Sequence, residues 1–275
     1  MSAMTVQTLI DRIVAAMGGP LESTRDTVKA GDTSQPVAGV VTTFMATVPV
    51  ILRAVELGAN VVFTHEPTFY NSMDEVSFLQ NDPVYRAKHR LLQETGIVIY
   101  RLHDYPHGMA RPAPGSWLGD PREDPFFGGL VETLDWNEYA DAEVPYFCTI
   151  PPIRLADLVE QFKDRLRLAS VRVTGDLDQE CRRVFLCVGA PGIAFHVDGF
   201  ERFDADVIAV GECPEWETFS YAADAGALGI KRAVVALGHQ PSEEPGMKRL
   251  AAWLLQRFPD ISVTHVPSAH SISTI

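Results

Sequence analysis

The sequence predicts an α/β protein built of two lobes. Short apolar, β-branched runs alternate with stretches of helical periodicity, Gly and Pro mark most of the changeovers, and the alternation weakens mid-chain before it resumes. A chain of 275 residues can bury on the order of 75% of its unfolded surface, enough for one large domain or two intimate ones. The regular stretches place the first lobe at 1–125 plus 233–275, discontinuous in sequence, and the second at 126–232.

The elements follow in order. "MSAMTVQTLIDRIVAAMGGP" has an apolar stripe at Leu9, Ile10, Ile13 and Val14 and reads as an amphipathic helix, without the basic start and long apolar core of a signal peptide. "VAGVVTTFMA" (37–46) reads as a strand, "VPVILRAVELGA" (48–59) as a helix closed by Gly58, and "NVVFT" (60–64) as the next strand. "DPVYRAKHRLLQETG" reads as a helix with Pro83 in its first turn and Gly96 at its end, and it leads into the strand "IVIYRL" (97–102). The Pro- and Gly-rich text from Gly108 to about Asp124 predicts a loop. Beyond it come a helix at 154–168, strands in "SVRVTG", "RRVFLCVG" and "ADVIAVGE", a helix at 218–229, a strand at 230–239, a helix at 245–258, and a last strand in "SVTHVP".

Composition narrows the function. The formal charge is −13, from 36 acidic and 23 basic residues, and no basic run resembles a phosphate-binding stripe, so nucleic acid is not an expected partner. No run of about 18 apolar residues occurs, so no membrane span is expected. Cys148, Cys181, Cys187 and Cys213 show no CxxC spacing and read as reduced thiols in a cytoplasmic protein. The phosphate-loop, dinucleotide, nucleophile-elbow and HExxH motifs are all missing.

The chemistry gathers at strand ends. Ligands of open α/β sheets bind beyond the carboxyl ends of parallel strands. His65 and Glu66 follow one predicted strand, His103, Asp104 and His107 the next, Glu212 a third, and His239 with Glu243 a fourth. Any one of these histidines alone is as readily a loop residue, but four of the chain's eight occupy such ends. Imidazole and carboxylate together suit zinc, iron, manganese or nickel. Pro241 is expected to keep His239 and Glu243 off one regular helix, with Ser242 as the N-cap that puts Glu243 in the first turn. Glu212 continues straight from a buried strand and suits a ligand, a base or an orienter of a ligand. Glu215 and Glu217 are equally readable as solvated. Cys213 is either a nucleophile or an inert buried thiol, and "GAPG" at 189–192 either an anion nest or a tight turn. His265 and His270 read as incidental.

On "GVVTTFMATVPVILRAVELGANVVFTHEPTFYN", "IVIYRLHDYPH", "ADVIAVGECPEWET" and "ALGHQPSEEPGMKRLAAWL", the chain resembles the Nif-three-like family of dinuclear-metal proteins, domain of unknown function thirty-four. The resemblance implies two related α/β lobes with a metal site in the cleft between them, and members commonly form a homo-oligomer, a ring-shaped hexamer. It implies metal ligands at His65, His107, His239 and Glu243, with Glu66 and His103 joining them. Glu66 stands where the family's usual pair has its second histidine, His107 where the family has an aspartate, and Met45 where another aspartate is usual, which suggests one tight ion or two of unequal affinity.

The function expected is therefore a metal-dependent hydrolase acting on a small-molecule substrate, with Glu66 or Glu212 as ligand or general base. The alternative is a non-catalytic metal-binding, metal-handling or adaptor protein. Fold alone licenses no substrate.

Overall fold

The structure is a computed structural model and describes residues 4–108, 124–268 and 272. In chain order its first elements are α1 (Val6–Ala16), β1 (Val28–Ala30), β2 (Val40–Thr43), α2 (Val48–Glu56), β3 (Val61–Thr64), α3 (Pro83–Thr95) and β4 (Val98–Arg101). Then come α4 (Pro125–Leu134), β5 (Phe147–Arg154), α5 (Leu155–Leu166), β6 (Arg172–Thr174), β7 (Glu180–Cys187) and α6 (Ile193–Arg202). The last are β8 (Val207–Val210), α7 (Ser220–Ala227), β9 (Ala233–Ala236), α8 (His239–Arg257) and β10 (Val263–His265). The chain divides into two compact units, one comprising the residues up to Pro125 with 247–268, the other Phe126–Gly246.

The first unit holds a sheet in the order β1-β4-β3-β2-β10, in which β4, β3, β2 and β10 run parallel and β1 closes the edge antiparallel. Every residue of β2, β3 and β4 is buried, as the continuous apolar runs require of parallel strands covered on both faces. Val41, Val62 and Ile99 face Val50, Ile51 and Ala54 of α2 and Tyr85 and Leu92 of α3 in one core. Helix α3 has the predicted ends. Asp82 accepts from Tyr85 N–H at 2.9 Å, Pro83 opens the first turn, and Gly96 ends the helix at φ 66°.

The second unit repeats the plan with β5-β7-β8-β9-β6. Strands β7, β8 and β9 are parallel at the centre, and β5 and β6 are antiparallel edges. Edge position explains how β5 carries Pro151 and Pro152, where the register with β7 is interrupted.

Three expectations need correction. Strand β9 pairs with β8 and β6, so 233–246 belongs to the second unit and the chain leaves it inside α8 rather than at 233. Helix α8 starts at His239, six residues before the helix expected at 245, and runs through Pro241 and Pro245. Pro241 lies in the first turn, where backbone N–H groups have no intrahelical acceptor, so its missing donor costs nothing there. Helix α4 went unread because two glycines sit inside "PFFGGLVETL". Those glycines serve packing, since a Cβ on Gly129 would lie 2.7 Å from the Gly246 nitrogen, and one on Gly246 would strike Phe126. The Pro- and Gly-rich loop expected after Gly108 lies outside the described residues, as does His270.

His196, on α6, is fully buried with Nδ1 2.7 Å from Thr218 Oγ1, and burial pulls its pKa from 6.5 down to about 4. Between these values the unfolded chain takes up a proton that the folded chain refuses, so stability falls as pH drops from 6.5 to 4. The expected outcome is that His196→Leu gains stability relative to wild type across that window, by about 3 kcal/mol in all. Chemical denaturation at several pH values checks this, and a constant difference between the two proteins would count against a neutral buried imidazole.

Candidate metal centre

The site in the first unit begins with strand register. Strands β3 and β4 pair in parallel with Thr64 opposite Arg101, so the residues leaving both strands emerge side by side. His65 N–H donates to Thr43 O at 3.1 Å and Leu102 N–H to Thr64 O at 2.9 Å, which extends the pairing just past the strands. The imidazoles of His65, His103 and His107 converge here, each offering a ring nitrogen, and the three nitrogens lie within 4.8 Å of one another. The rings of His65 and His103 stack at 4.5 Å, and His107 stands edge-on, 5.1 Å from each.

Carboxylates and a carbonyl orient the rings. His103 Nδ1 lies 2.8 Å from Asp104 Oδ1, His107 Nδ1 2.8 Å from Asp124 Oδ2, and His65 Nδ1 3.4 Å from Leu102 O. An imidazole whose Nδ1 donates to a carboxylate presents Nε2 as its lone-pair donor, the arrangement common among metal-binding histidines. Burial, and then the neighbouring His65, pulls the pKa of His103 to about 3, so the ring is held in the neutral form that a metal requires. Burial works against ionisation of Asp104, but hydrogen bonds from His103, Arg25 N–H and Thr24 keep its carboxyl well below the usual range. Glu66 lies beside the cluster, with Oε1 3.7 Å from His103 Nε2 and Oε2 3.4 Å from Arg101 Nη2.

Sequence reading missed the residue that holds this loop. Asp26, almost fully buried, accepts from the N–H groups of His103 (2.8 Å) and Asp104 (2.9 Å) at Oδ1 and of Tyr105 (3.0 Å) at Oδ2. Burial raises its pKa despite these three donors. No local pattern marks it, for it sits 77 residues before His103.

The second unit carries its own donor group at the carboxyl ends of β7, β8 and β9. Contrary to expectation, His239 and Glu243 share α8 one turn apart, with His239 Nε2 3.0 Å from Glu243 Oε2. Ser242 is not the N-cap, because its N–H already bonds Gly238 O. Its hydroxyl donates to His239 O at 2.7 Å and accepts from Gly189 N–H at 3.0 Å. Glu212 Oε1 lies 3.4 Å from His239 Nδ1, and that hydrogen bond lowers the pKa of Glu212 against the effect of burial. The Glu212 side chain is 57% exposed, in contrast to the buried Glu243.

Gly189 decides "GAPG". It lies at φ 66°, and a Cβ there would come within 2.3 Å of Glu243 Oε1, so the turn is shaped around the carboxylate. Cys213 is buried and burial raises its pKa, as it does for the other three free thiols, so these sulfurs are poor nucleophiles. Glu215 is solvated and pairs with Arg172 at 3.1 Å. His265 lies in β10, where its Nδ1 is 3.4 Å from Thr42 Oγ1.

Comparison with known proteins bears on the family and the fold. The Duf34/NIF3 (NGG1p interacting factor 3) family model matches residues 6–105 and 131–272. The chain belongs to the Duf34/NIF3 family. A GTP cyclohydrolase 1 type 2 homolog of Clostridium perfringens is 22% identical over 242 residues, covering 83% of this chain and 82% of its own. Among solved structures, a Staphylococcus aureus hypothetical protein matches with TM-score 0.75 at 16% identity over 100% of both chains. A Bacillus cereus protein related to NIF3 matches with TM-score 0.73 at 16% identity, over 100% of this chain and 99% of its own. At these identities the structures establish a shared fold. Within this Duf34/NIF3 chain the donor set, three convergent imidazoles with Nδ1 engaged, could hold a metal ion.

Asp26→Ala is expected to strand three backbone donors beneath His103 and to destabilise the fold by about 3 kcal/mol or more. Asp26→Asn, which keeps acceptor oxygen Oδ1, should cost less than half as much. Equilibrium urea unfolding of the two variants checks both, and equal losses would show that the carboxylate does not hold this loop.

Proposed function

We propose that this Duf34/NIF3 protein binds a divalent transition metal through His65, His103 and His107, and that it is a hydrolase acting on a small-molecule substrate. The observation that supports this reading is the convergence of three imidazoles, with Nδ1 of His103 and His107 each 2.8 Å from a carboxylate. His239 and Glu243 form a second donor pair, so one ion or two can be accommodated, with zinc, iron, manganese and nickel as candidates. A metal held by imidazoles with an open position supplies a water of lowered pKa and a Lewis acid for the electrophile. Asp104 and Asp124 fix the donor tautomers, Asp26 holds the His103 loop in place, and Glu66, with Oε1 3.7 Å from His103 Nε2, is the candidate proton acceptor.

The name of the Clostridium perfringens relative makes GTP one compound to test. The chain's residues do not select it, since no glycine-rich phosphate loop is present in the sequence. Among the described residues no helix is long and apolar enough to cross a membrane, and four buried free thiols suit a reducing, cytoplasmic compartment. Assembly into a homo-oligomer belongs to the same proposal. A second reading, a metal-handling protein without turnover, draws on the deep burial of His65 and His107, at 0% and 6% exposure.

The test is elemental analysis of untagged protein, for wild type and for His103→Ala and His239→Ala. Wild type should carry close to one or two equivalents of a transition metal, and His103→Ala should bind it at least about tenfold more weakly. Wild type that stays metal-free after loading with zinc or manganese would end both readings. Metal-dependent release of nitrophenol from bis-nitrophenyl phosphate, lost on chelation and restored on reloading, would favour the hydrolase. Stoichiometric metal without turnover on this substrate or on GTP would favour the metal-handling protein.

A further inference from the structure

At the edge of the first unit's sheet, strand β1 sets Val28 opposite Tyr100 and Ala30 opposite Ile99, so Lys29 is an extra residue in a bulge. Such an irregularity re-aims a side chain. Lys29 lines a cavity of about 480 Å³ between β1, the turn that follows it and α3. Its side chain is only 10% exposed, and among the described residues its ammonium has one acceptor, Asp74 Oδ2 at 3.4 Å. An ammonium carries three N–H donors, so the capacity of Lys29 is largely unused.

The aspartate behind Lys29 is shared. Asp74 also faces Lys88 of α3, which is 5% exposed and donates from Nζ to Thr68 O at 2.6 Å. Burial lowers the pKa of Lys88 to about 8, so it stays charged at neutral pH. Two buried ammonium groups set against one carboxylate leave positive charge uncompensated, and an anionic group entering beside Lys29 compensates it. The rest of the wall is mixed. His89 and Gln93 stand one turn apart on α3, and among the described residues neither the imidazole nor the amide has a hydrogen-bond partner. Leu92 supplies apolar surface, and the exposed Asp32 is held ionised by the Ser34 N–H and hydroxyl, each at 2.9 Å.

We propose that this cavity binds a small zwitterion, a free α-amino acid, with its carboxylate on Lys29, its ammonium toward Asp32, and further polar atoms on His89 and Gln93. The volume lies within the range of about 300–1,000 Å³ usual for small-molecule sites. A doubly charged phosphate fits less well, since the uncompensated charge is a single one and Asp32 repels a second negative charge. The inference goes beyond the metal-binding reading and does not depend on it, because none of the groups it uses belongs to the histidine cluster.

Calorimetric titration of the full-length protein tests this, with the common L-amino acids as probes. Succinate, putrescine and inorganic phosphate serve as the anion, the cation and the oxyanion without the zwitterion. At least one amino acid should bind more tightly than all three. Its affinity should fall about tenfold or more in Lys29→Met, fall about fivefold in Asp32→Asn, and stay within about threefold in Lys29→Arg and in His103→Ala. Binding by no amino acid overturns the proposal, and so does succinate or phosphate binding as tightly as the best of them. Affinity lost in His103→Ala but kept in Lys29→Met overturns it as well, because the amino acid is then held at the histidine cluster. Should Lys29→Met fail to fold with Asp74 left unpaired, Asp32→Asn and Gln93→Leu decide in its place, and unchanged affinity in both overturns the proposal. Metal content is measured separately, so protein that carries metal but binds no amino acid fails this inference alone.

Discussion

The parallel pairing of β3 with β4, in the register that sets Thr64 opposite Arg101, is the constraint on which the first unit's chemistry depends. Parallel strands deliver their carboxyl ends to one edge of the sheet, and there the chain must turn away with its backbone groups no longer paired by a neighbour. His65 and His103 are the residues that turn. A slip of one residue in that register would send alternate side chains to the opposite face and take Arg101 away from the carbonyl of His65. The polar residues in these strands resist such a slip, because the Thr64 hydroxyl on Phe44 O, the Tyr100 hydroxyl on Asp26 O and Arg101 Nε on His65 O would all lose their buried acceptors.

Around that register the polar groups form a second layer of control. Asp26 gathers three consecutive N–H groups, Asp104 and Asp124 hold two imidazoles by Nδ1, and Arg101 ties the loop after β3 back to the end of β4. Burial makes each of these bonds costly to break, because a stranded donor or charge finds no water to replace its partner. The same burial keeps His103 neutral and therefore able to donate its lone pair. The second unit reaches a comparable result by a different route. Helix periodicity sets His239 and Glu243 one turn apart, and Gly189 clears the space that the Glu243 carboxylate occupies.

Much of this was legible in one dimension. The apolar runs of β2, β3, β4, β7, β8 and β9 announced buried parallel strands, and the donor-type residues placed just after them announced where chemistry would gather. Helix α3 could be read from Pro83 and Gly96 because helix ends are set locally. Helix α4 could not, because its glycines look like breakers until the close approach of Gly246 is seen. The helical start of α8 was hidden in the same way, since a proline reads as a barrier unless it is known to fall in the first turn.

Periodicity, composition and residue type by themselves determined the α/β class, the central strands and the first donors to suspect, because each depends on neighbours within a few positions along the chain. Only the tertiary structure decided that His65, His103 and His107 meet within 4.8 Å, that Asp26 supports their loop from far upstream, and that Arg101 takes one oxygen of Glu66. Those contacts join residues separated by up to 79 positions, and strand register and burial, which no local pattern encodes, bring them together.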